Sequence, residues 1–557
     1  MWRQLSSQYL SRSIAGLWST KFPSCSVLAA RGRTSNAAVV HLNRAASQTL
    51  SIKESSTLNL IANVMFEFDA GKSEDLFRYT SGRWLVDEKA QQQLRYVKFD
   101  LDRLFHLAAA HFSDATKCVR VVKIEGNFNK ALPLTMDDGN EVVAKIPCPN
   151  AGPPSLTTAS EVATLKFLKD VHSGSESFSW SSDAANSVGA EYIIMEKVRG
   201  VALSETWEAM NTLEHYKIID QVVQMEKELS NISFPAYGSL FLLDSLPATC
   251  RQYPLPPELD PEGLFCIGPS WALFSEYVLS IVQRELSHIA SSGAEVQRQL
   301  HKFDESQSID EYKSLLEKAN MALPILSHDP RVTGASDPIV WHTDLHLGNI
   351  FVLPTEPSII EGIIDWQSSQ IGPLFVQARF PEFLRPPKDY TSGPHALKGQ
   401  ESASRSKYYE MSSLAHNQRV HNAMKLDSRL WRPFTYCQLF SHSSLVPLRQ
   451  CLIRLSQDWS LLGLPGSCPF LISETELQKH DEQKLTYEDR LYLWDLVKNQ
   501  LLTDDAGWVP NDLWEATEKA NRELYDMFIE AMSEELTPQA AVKNWPFPPP
   551  KPIKIRG

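Results

Sequence analysis

Residues 340–352 read VWHTDLHLGNIFV and set His342, Asp344, His346 and Asn349 into a short segment with apolar residues on both sides. Two chemistries use such a set. On an extended chain, alternate residues share a face, so His342, Asp344 and His346 could ligate zinc and activate water. The other chemistry is phosphoryl transfer, which needs a carboxylate at the acceptor hydroxyl and hard oxygens that hold Mg²⁺ against nucleotide phosphates. Ile339-Val340 and Ile350-Phe351-Val352 frame the segment as strand, loop, strand, and a third apolar run, 359–364, ends at Asp365. That order offers Asp344 as the base, with Asn349 and Asp365 as the metal ligands.

Phosphoryl transfer makes a further demand upstream: a strand lysine for the α- and β-phosphates and a helix carboxylate to hold it. EVVAKIP supplies Lys145 within an apolar strand, and TTASEVATLKFL supplies Glu161 early in a helix. A lysine in an apolar strand is ordinarily an exposed edge residue, but the carboxylate and the later loop together reverse that reading. The preceding turn, EGNFNK, could face phosphates with its backbone N–H groups, although it holds one glycine, Gly126. A zinc site needs at least one more ligand, and the remaining histidines do not cluster. His342 then reads as a scaffold residue that bonds backbone, and His346 as a loop residue on the substrate side.

The elements that must position these residues follow from periodicity. Leu101, Leu104, Phe105, Leu107 and Ala108 fall at helical spacing over about 99–112. Two β-rich runs, 132–136 and 141–146, flank the hairpin signal Asp138-Gly139. A helix follows, with Thr158 or Ser160 available as its N-cap, and then a short strand in GAEYIIMEKVRG. From about 203 the pattern is mainly helical, interrupted by the motif strands at 339–366, and helices return from about 478 to 534.

WHTDLHLGNIFV followed by IIDWQ resembles the catalytic and metal-binding motifs of the aminoglycoside phosphotransferase family, which is kinase-like in fold. FEFDAGKSEDLFRYTSGRWLVDE, LTMDDGNEVVAKIP, SVGAEYIIMEKVRG, FCIGPS and IDWQSSQIGPLFVQARFPEFL are similar, more closely, to a fungal mitochondrial branch of it. The resemblance implies an α+β, bilobal protein-kinase-like fold, with a small β-rich N-lobe and a larger, mainly helical C-lobe. It implies ATP between the lobes with Mg²⁺, Asp344 as catalytic base, Asn349 and Asp365 on the metal, and Lys145 and Glu161 at the phosphates. IIMEKV becomes the hinge, where backbone around Glu196 and Val198 meets the adenine. The acceptor is some hydroxyl that family membership does not name. Trp207, Trp271, Tyr408 and Trp459 offer aromatic surface in the helical lobe, though aromatics there more often belong to the core.

Two stretches depart from the family. Asn127 follows Gly126 where the family's turn usually carries paired glycines, which weakens phosphate cradling and opens a second reading, a nucleotide-binding pseudokinase in mitochondrial maintenance or inheritance. VHSGSESFSWSSD, at 171–183, replaces the usual proline-containing entry to a strand, and 172–180 within it is a local divergence or an error of the gene model. The expected domains are a transit peptide at 1–53, an extension at 54–98, the nucleotide-binding N-lobe at 99–200, the C-lobe at 201–535 and a solvated Pro-rich basic tail at 536–557.

Charge supports that division. Residues 1–53 carry Arg3, Arg12, Lys21, Arg31, Arg33, Arg44 and Lys53 and no Asp or Glu, with Ser and Ala between them. That is the composition of a mitochondrial import sequence. Without those seven, the chain keeps 47 of its 54 basic residues against 67 acidic ones, a net charge of −20 in place of −13. So acidic a body argues against nucleic acid or an anionic membrane surface as partner. No apolar run approaches the roughly 18–20 residues of a membrane-spanning helix. The eight cysteines form no C-x-x-C pair, and reduced, packed thiols are expected.

Overall fold

The computed structural model describes residues 64–66, 73–169, 177–246, 250, 252–387, 401–439, 444–533 and 536–550. The proposed transit peptide, most of 54–72 and part of 172–180 lie outside them.

A six-stranded antiparallel sheet forms the first lobe, in the order β1-β3-β4-β5-β7-β6. Its strands are β1 (Val64–Phe66), β3 (Cys118–Glu125), β4 (Asn129–Met136), β5 (Glu141–Pro147), β6 (Ser177–Ser181) and β7 (Tyr192–Glu196). In β4, Lys130, Leu132, Leu134 and Met136 are buried and the residues between them are not, the two-residue period of a strand covered on one face. The cover is α1 (Leu101–Ala109), which buries Leu104, Phe105, Ala108 and Ala109 against that face. The turn between β4 and β5 is the expected one: Gly139 takes φ 89 and its N–H bonds the Met136 carbonyl at 3.0 Å.

The opposite face of β5 and β7 meets α2 (Leu156–Lys169), with Val143, Ile193 and Met195 packed on Val162. α2 is buried nearly all round because Ala159 also packs on Phe241, Leu246 and Cys266 of the second lobe. Neither Thr158 nor Ser160 is its N-cap. Glu191, from the loop before β7, accepts from the Ser155 N–H at 2.9 Å and from the Thr158 hydroxyl at 2.6 Å. A carboxylate from elsewhere thus satisfies the helix start, where negative charge is favoured.

The second lobe is mainly helical. Its long helices include α3 (Thr212–Asn231), α4 (Phe274–Phe303), α5 (Ile309–Ser327) and α6 (Glu401–His416). Asn211 and Glu214 cap α3 reciprocally. Two small sheets are set among the helices. One runs β10-β11-β9-β15-β12, from Tyr253–Pro254, Phe265–Trp271, Tyr237–Leu242, Gln370–Pro373 and Pro338–Trp341. The other, β14-β13-β8, joins Glu356–Ile363, Ile350–Leu353 and Val201–Ala202. This is the α+β architecture of a β-rich lobe followed by a helical one.

The chain crosses between lobes at 197–200, and Gly200 makes the crossing possible. It takes φ 90, and a Cβ there would collide with the Val352 carbonyl oxygen beside the β8–β13 pairing. Gly200→Ala is expected to lower unfolding stability by about 2–4 kcal/mol, read as a fall in the urea midpoint at unchanged slope. An unchanged midpoint would mean that the crossing can take another path.

Glu226 of α3 is buried in the C-lobe and accepts from the Tyr409 hydroxyl of α6 at 2.7 Å. Burial, against the weaker pull of that bond, pushes its pKa up to about 8. A folded pKa raised above the unfolded value gives stability that is full below the ordinary glutamate range and fades as pH rises toward 8. The slope in that window is up to about 1.4 kcal/mol per pH unit. Glu226→Gln should remove it, matching wild type at pH 5 and exceeding it at pH 8 in thermal unfolding.

Toward both ends of the described residues, parts of the expected N-terminal extension and of the expected solvated tail are packed. β2 (Gly82–Trp84) pairs with β16 (Trp508–Pro510) between α7 (Glu474–Leu501) and α8 (Trp514–Met532). Just before β2, Glu125 at the end of β3 accepts from the Ser81 N–H and hydroxyl at 2.8 and 2.6 Å. The expected solvated tail at 536–557 is corrected over its first part. α9 (Pro538–Asn544) folds back, and Trp545 and Phe547 are each only 4% exposed in the core cluster with Phe528. Two large aromatics bury enough apolar surface to hold a segment whose prolines and lysines suggest solvent. Residues 551–557 lie outside the description. Cysteines among the described residues form no disulfide.

Candidate active site

Alternation in β5 turns Lys145 onto the face it shares with Val143, toward α2, whose Glu161 lies beside Val162. Lys145 Nζ donates to Glu161 Oε1 at 2.6 Å and to Asp365 Oδ1 at 2.7 Å. Two residues from the first lobe and one from the second thereby meet on a single ammonium. Lys145 and Glu161 are buried, whereas the Asp365 side chain keeps 31% exposure. Burial works against the Lys145 charge, but the two carboxylates outweigh it and raise its pKa. For Asp365 burial acts upward, and the attraction of Lys145 overcomes it and holds the carboxyl low. For Glu161 burial prevails over Lys145 and raises the pKa.

Asp365 follows β14 and has φ 64, the left-handed region that a residue with a side chain enters only under constraint. The constraint is visible. The N–H of Ile364 bonds the Asn349 carbonyl at 2.9 Å, and Trp366, beside it, is buried with its indole N–H on the Ile363 carbonyl at 3.2 Å. The turn aims Asp365 back toward Lys145.

The loop after β12 is built around His342. It is buried, its Nε2–H meets the Ile364 carbonyl at 2.9 Å, and its Nδ1 accepts from the Asp344 N–H at 3.3 Å. Burial lowers its pKa, so a neutral imidazole ties the loop to the Asp365 segment. With both ring nitrogens on the main chain, His342 has no lone pair for a metal. His346 Nδ1 is engaged by the Gly348 N–H at 3.0 Å. Among the described residues no three His, Cys, Asp or Glu side chains gather as a metal site. The zinc reading loses its ligands.

Asn349 is buried and its Nδ2 donates to the Asp344 carbonyl at 3.0 Å, which leaves the hard Oδ1 for another partner. The Asp344 side chain is 68% exposed, with His346 Nε2 at 3.8 Å. An amide oxygen, a carboxylate and a second, accessible carboxylate are a donor set that fits Mg²⁺ with a base beside it, and does not fit a softer metal. Gly126 lies in the β3–β4 turn, and its N–H closes on the Asn129 carbonyl at 3.0 Å. Glu196 is the exposed last residue of β7, and Val198 lies in the crossing to β8. The aromatics Trp207 and Trp459 are buried in the C-lobe core, and Tyr408 stacks on Tyr216 at 3.8 Å.

Gln367, two residues after Asp365, did not stand out in the sequence. It reaches the first lobe twice, at Asn129 and at the Ala151 carbonyl. Its only sequence signal is its place next to the IIDW run.

A β-rich lobe and a helical lobe, meeting at a strand lysine held by a helix carboxylate and by an acid of the second lobe, define a kinase-like phosphotransferase fold. Residues 134–376 match the model of the phosphotransferase enzyme family. The match takes in Lys145, Glu161, the crossing and both C-lobe motifs, and leaves Gly126 outside. The chain is similar to a subtelomeric hrmA-associated cluster protein of Aspergillus fumigatus, 29% identical over 77% of this chain and 97% of that one. It is also similar to altered inheritance of mitochondria protein 9, mitochondrial, of Clavispora lusitaniae, 20% identical over 85% of this chain and 92% of that one. Among solved structures, a streptomycin–ATP–APH(2")-IIa ternary complex is 14% identical, covering 65% of this chain and 97% of that one at a TM-score of 0.35.

Proposed function

We propose that the chain is an ATP- and Mg²⁺-dependent phosphotransferase that moves a phosphoryl group to a hydroxyl of an acceptor still to be identified, in mitochondria. The observation that carries this reading is Lys145 bonded at once to Glu161 and Asp365. It makes one cation common to the nucleotide lobe and the lobe with the catalytic loop. Lys145 would neutralise the α- and β-phosphates, with Glu161 holding it in place. Gly126, Glu196 and Val198 would present backbone to phosphates and adenine. Asn349 Oδ1 and Asp365 would hold Mg²⁺, which when bound neutralises charge on the transferred phosphoryl group. Asp344, exposed and anchored through its main chain, would take the acceptor's proton, and His342 would keep the loop in register. The acid-free basic segment 1–53 and the similarity to altered inheritance of mitochondria protein 9, mitochondrial, support the location.

The pseudokinase reading has one observation in its favour, the single-glycine turn with Asn127 at its tip. The test is Mg²⁺-dependent transfer from γ-labelled ATP into pools of hydroxyl metabolites and mitochondrial extract. Labelled acceptor above the level given by an Asp344→Asn control supports the enzyme. Tight Mg·ATP binding with no transfer in any pool supports the pseudokinase.

A further inference from the structure

The β3–β4 turn is short of glycine, and side-chain bonds hold it at both ends. Its start is fixed by Glu125, whose carboxylate takes hydrogen bonds from Thr80 and Ser81 and pairs with buried Lys123 at 2.7 Å. At its far side Asn129 Nδ2 donates to Gln367 Oε1 at 3.4 Å, across the gap between the lobes. The other end of the same amide, Gln367 Nε2, donates to the Ala151 carbonyl at 3.2 Å, in the loop joining β5 to α2. That loop is also tied to the turn. Asn150 Nδ2 donates to the Asn127 carbonyl at 3.1 Å, and the Cys148 N–H to the Phe128 carbonyl at 2.8 Å.

Gln367 is carried on a stiff support. Left-handed Asp365 and Ser368 flank it, at φ 64 and φ 61. Its neighbour Trp366 is buried against the His342 ring at 4.7 Å between centroids. A half-buried primary amide that both accepts and donates on such a support fixes two first-lobe segments to one second-lobe turn.

We infer that Gln367 is a positioning residue, a clasp that holds the β3–β4 turn and the β5–α2 loop against the Asp365 segment. The clasp supplies, by side-chain tethering, order that the turn would otherwise gain only from bound phosphates. Its effect on nucleotide rests on the function proposed above, and the clasp itself does not. A turn held in place before binding costs less to order, so the clasp favours Mg·ATP affinity over the rate of transfer.

Two variants test it in the full-length protein, by amide hydrogen exchange without nucleotide and by Mg·ATP titration. Gln367→Leu keeps the bulk and removes both bonds, so exchange across 126–129 and 148–152 should rise about five- to tenfold. Gln367→Glu keeps the acceptor for Asn129 and loses the donor for Ala151, so it should loosen 148–152 and leave 126–129 near wild type. The dissociation constant for Mg·ATP should rise about as much as exchange in Gln367→Leu, with kcat nearly unchanged where turnover is measurable. Exchange unchanged in both segments, or raised equally in both by Gln367→Glu, overturns the clasp. Absence of nucleotide binding in wild type would sink the nucleotide site while the exchange pattern still decided the clasp.

Discussion

Asp344→Asn is expected to cut phosphoryl transfer by about 10²- to 10⁴-fold, the range for loss of a positioned general base, with Mg·ATP affinity within about twofold of wild type. The substitution is close to isosteric, and the loop does not depend on the carboxylate. The Asp344 N–H rests on His342 Nδ1 and its carbonyl on Asn349 Nδ2, both main-chain bonds that asparagine keeps. The side chain, 68% exposed, contributes little packing whose loss could unfold the loop. Only proton acceptance is removed. The measurement pairs initial rates of transfer with calorimetric Mg·ATP titration on the same samples. Equal rates in variant and wild type would remove Asp344 from the chemistry, whatever the acceptor.

How far the site could be read from the sequence differs by residue, for physical reasons. Lys145 was legible because a charged residue inside EVVAKIP breaks an otherwise apolar strand, and such a residue must find partners. Its partner Glu161 was legible as the carboxylate early in the next helix. Asp365 was legible as a candidate metal ligand because it ends the apolar run 359–364, but its direct bond to Lys145 was not, since no local pattern pairs residues 220 positions apart. His342 could be suspected as scaffold, but the tautomer that excludes it as a zinc ligand depends on the Ile364 carbonyl, which no motif encodes. Glu191 capping α2 and Gln367 bridging the lobes were invisible for the same reason: each bonds main chain distant in sequence.

Composition misled over the C-terminal stretch. The stretch after α8 is rich in proline and lysine, yet two aromatics decide its fate. Residues 73–98 look like an extension, but β2 has its partner strand in β16, more than four hundred positions on. Buried Lys123 and Lys130 of β3 and β4 donate to carbonyls of Asp75, Arg78 and Arg95, so strand lysines that read as edge residues anchor this segment. Lysine in a strand therefore carries two meanings in one sheet. Lys123 and Lys130 tie down backbone of the preceding segment, Lys123 with Glu125 of its own strand beside it, whereas Lys145 joins carboxylates from both lobes.

The same distinction gives the second large effect. Lys145→Met keeps the length of the side chain and removes the charge, leaving Glu161, 4% exposed, and Asp365 without their common cation. Removing one partner of a buried ionic group typically destabilises by about 3–5 kcal/mol, because the remaining charge is buried and unpaired. The pH dependence identifies the cause. In wild type the lowered pKa of Asp365 gives stability that is present above the ordinary aspartate range and fades as pH falls through its folded value. In the variant Glu161, already raised by burial, loses the pull of Lys145 and rises further, so its penalty is largest at neutral pH and shrinks toward the ordinary glutamate range. The Asp365 contribution changes only below about pH 4, so between pH 5 and 8 it is Glu161 that narrows the gap between the two proteins on acidification. Urea unfolding between pH 5 and 8 should show wild type and variant converging at the acid end, and Mg·ATP affinity should fall at least about tenfold, as for loss of a charged hydrogen bond. Adding Glu161→Leu to Lys145→Met should recover much of the stability and none of the affinity. A gap constant with pH would instead trace the loss to packing around β5, and recovery of affinity in the double variant would take Lys145 out of the nucleotide site.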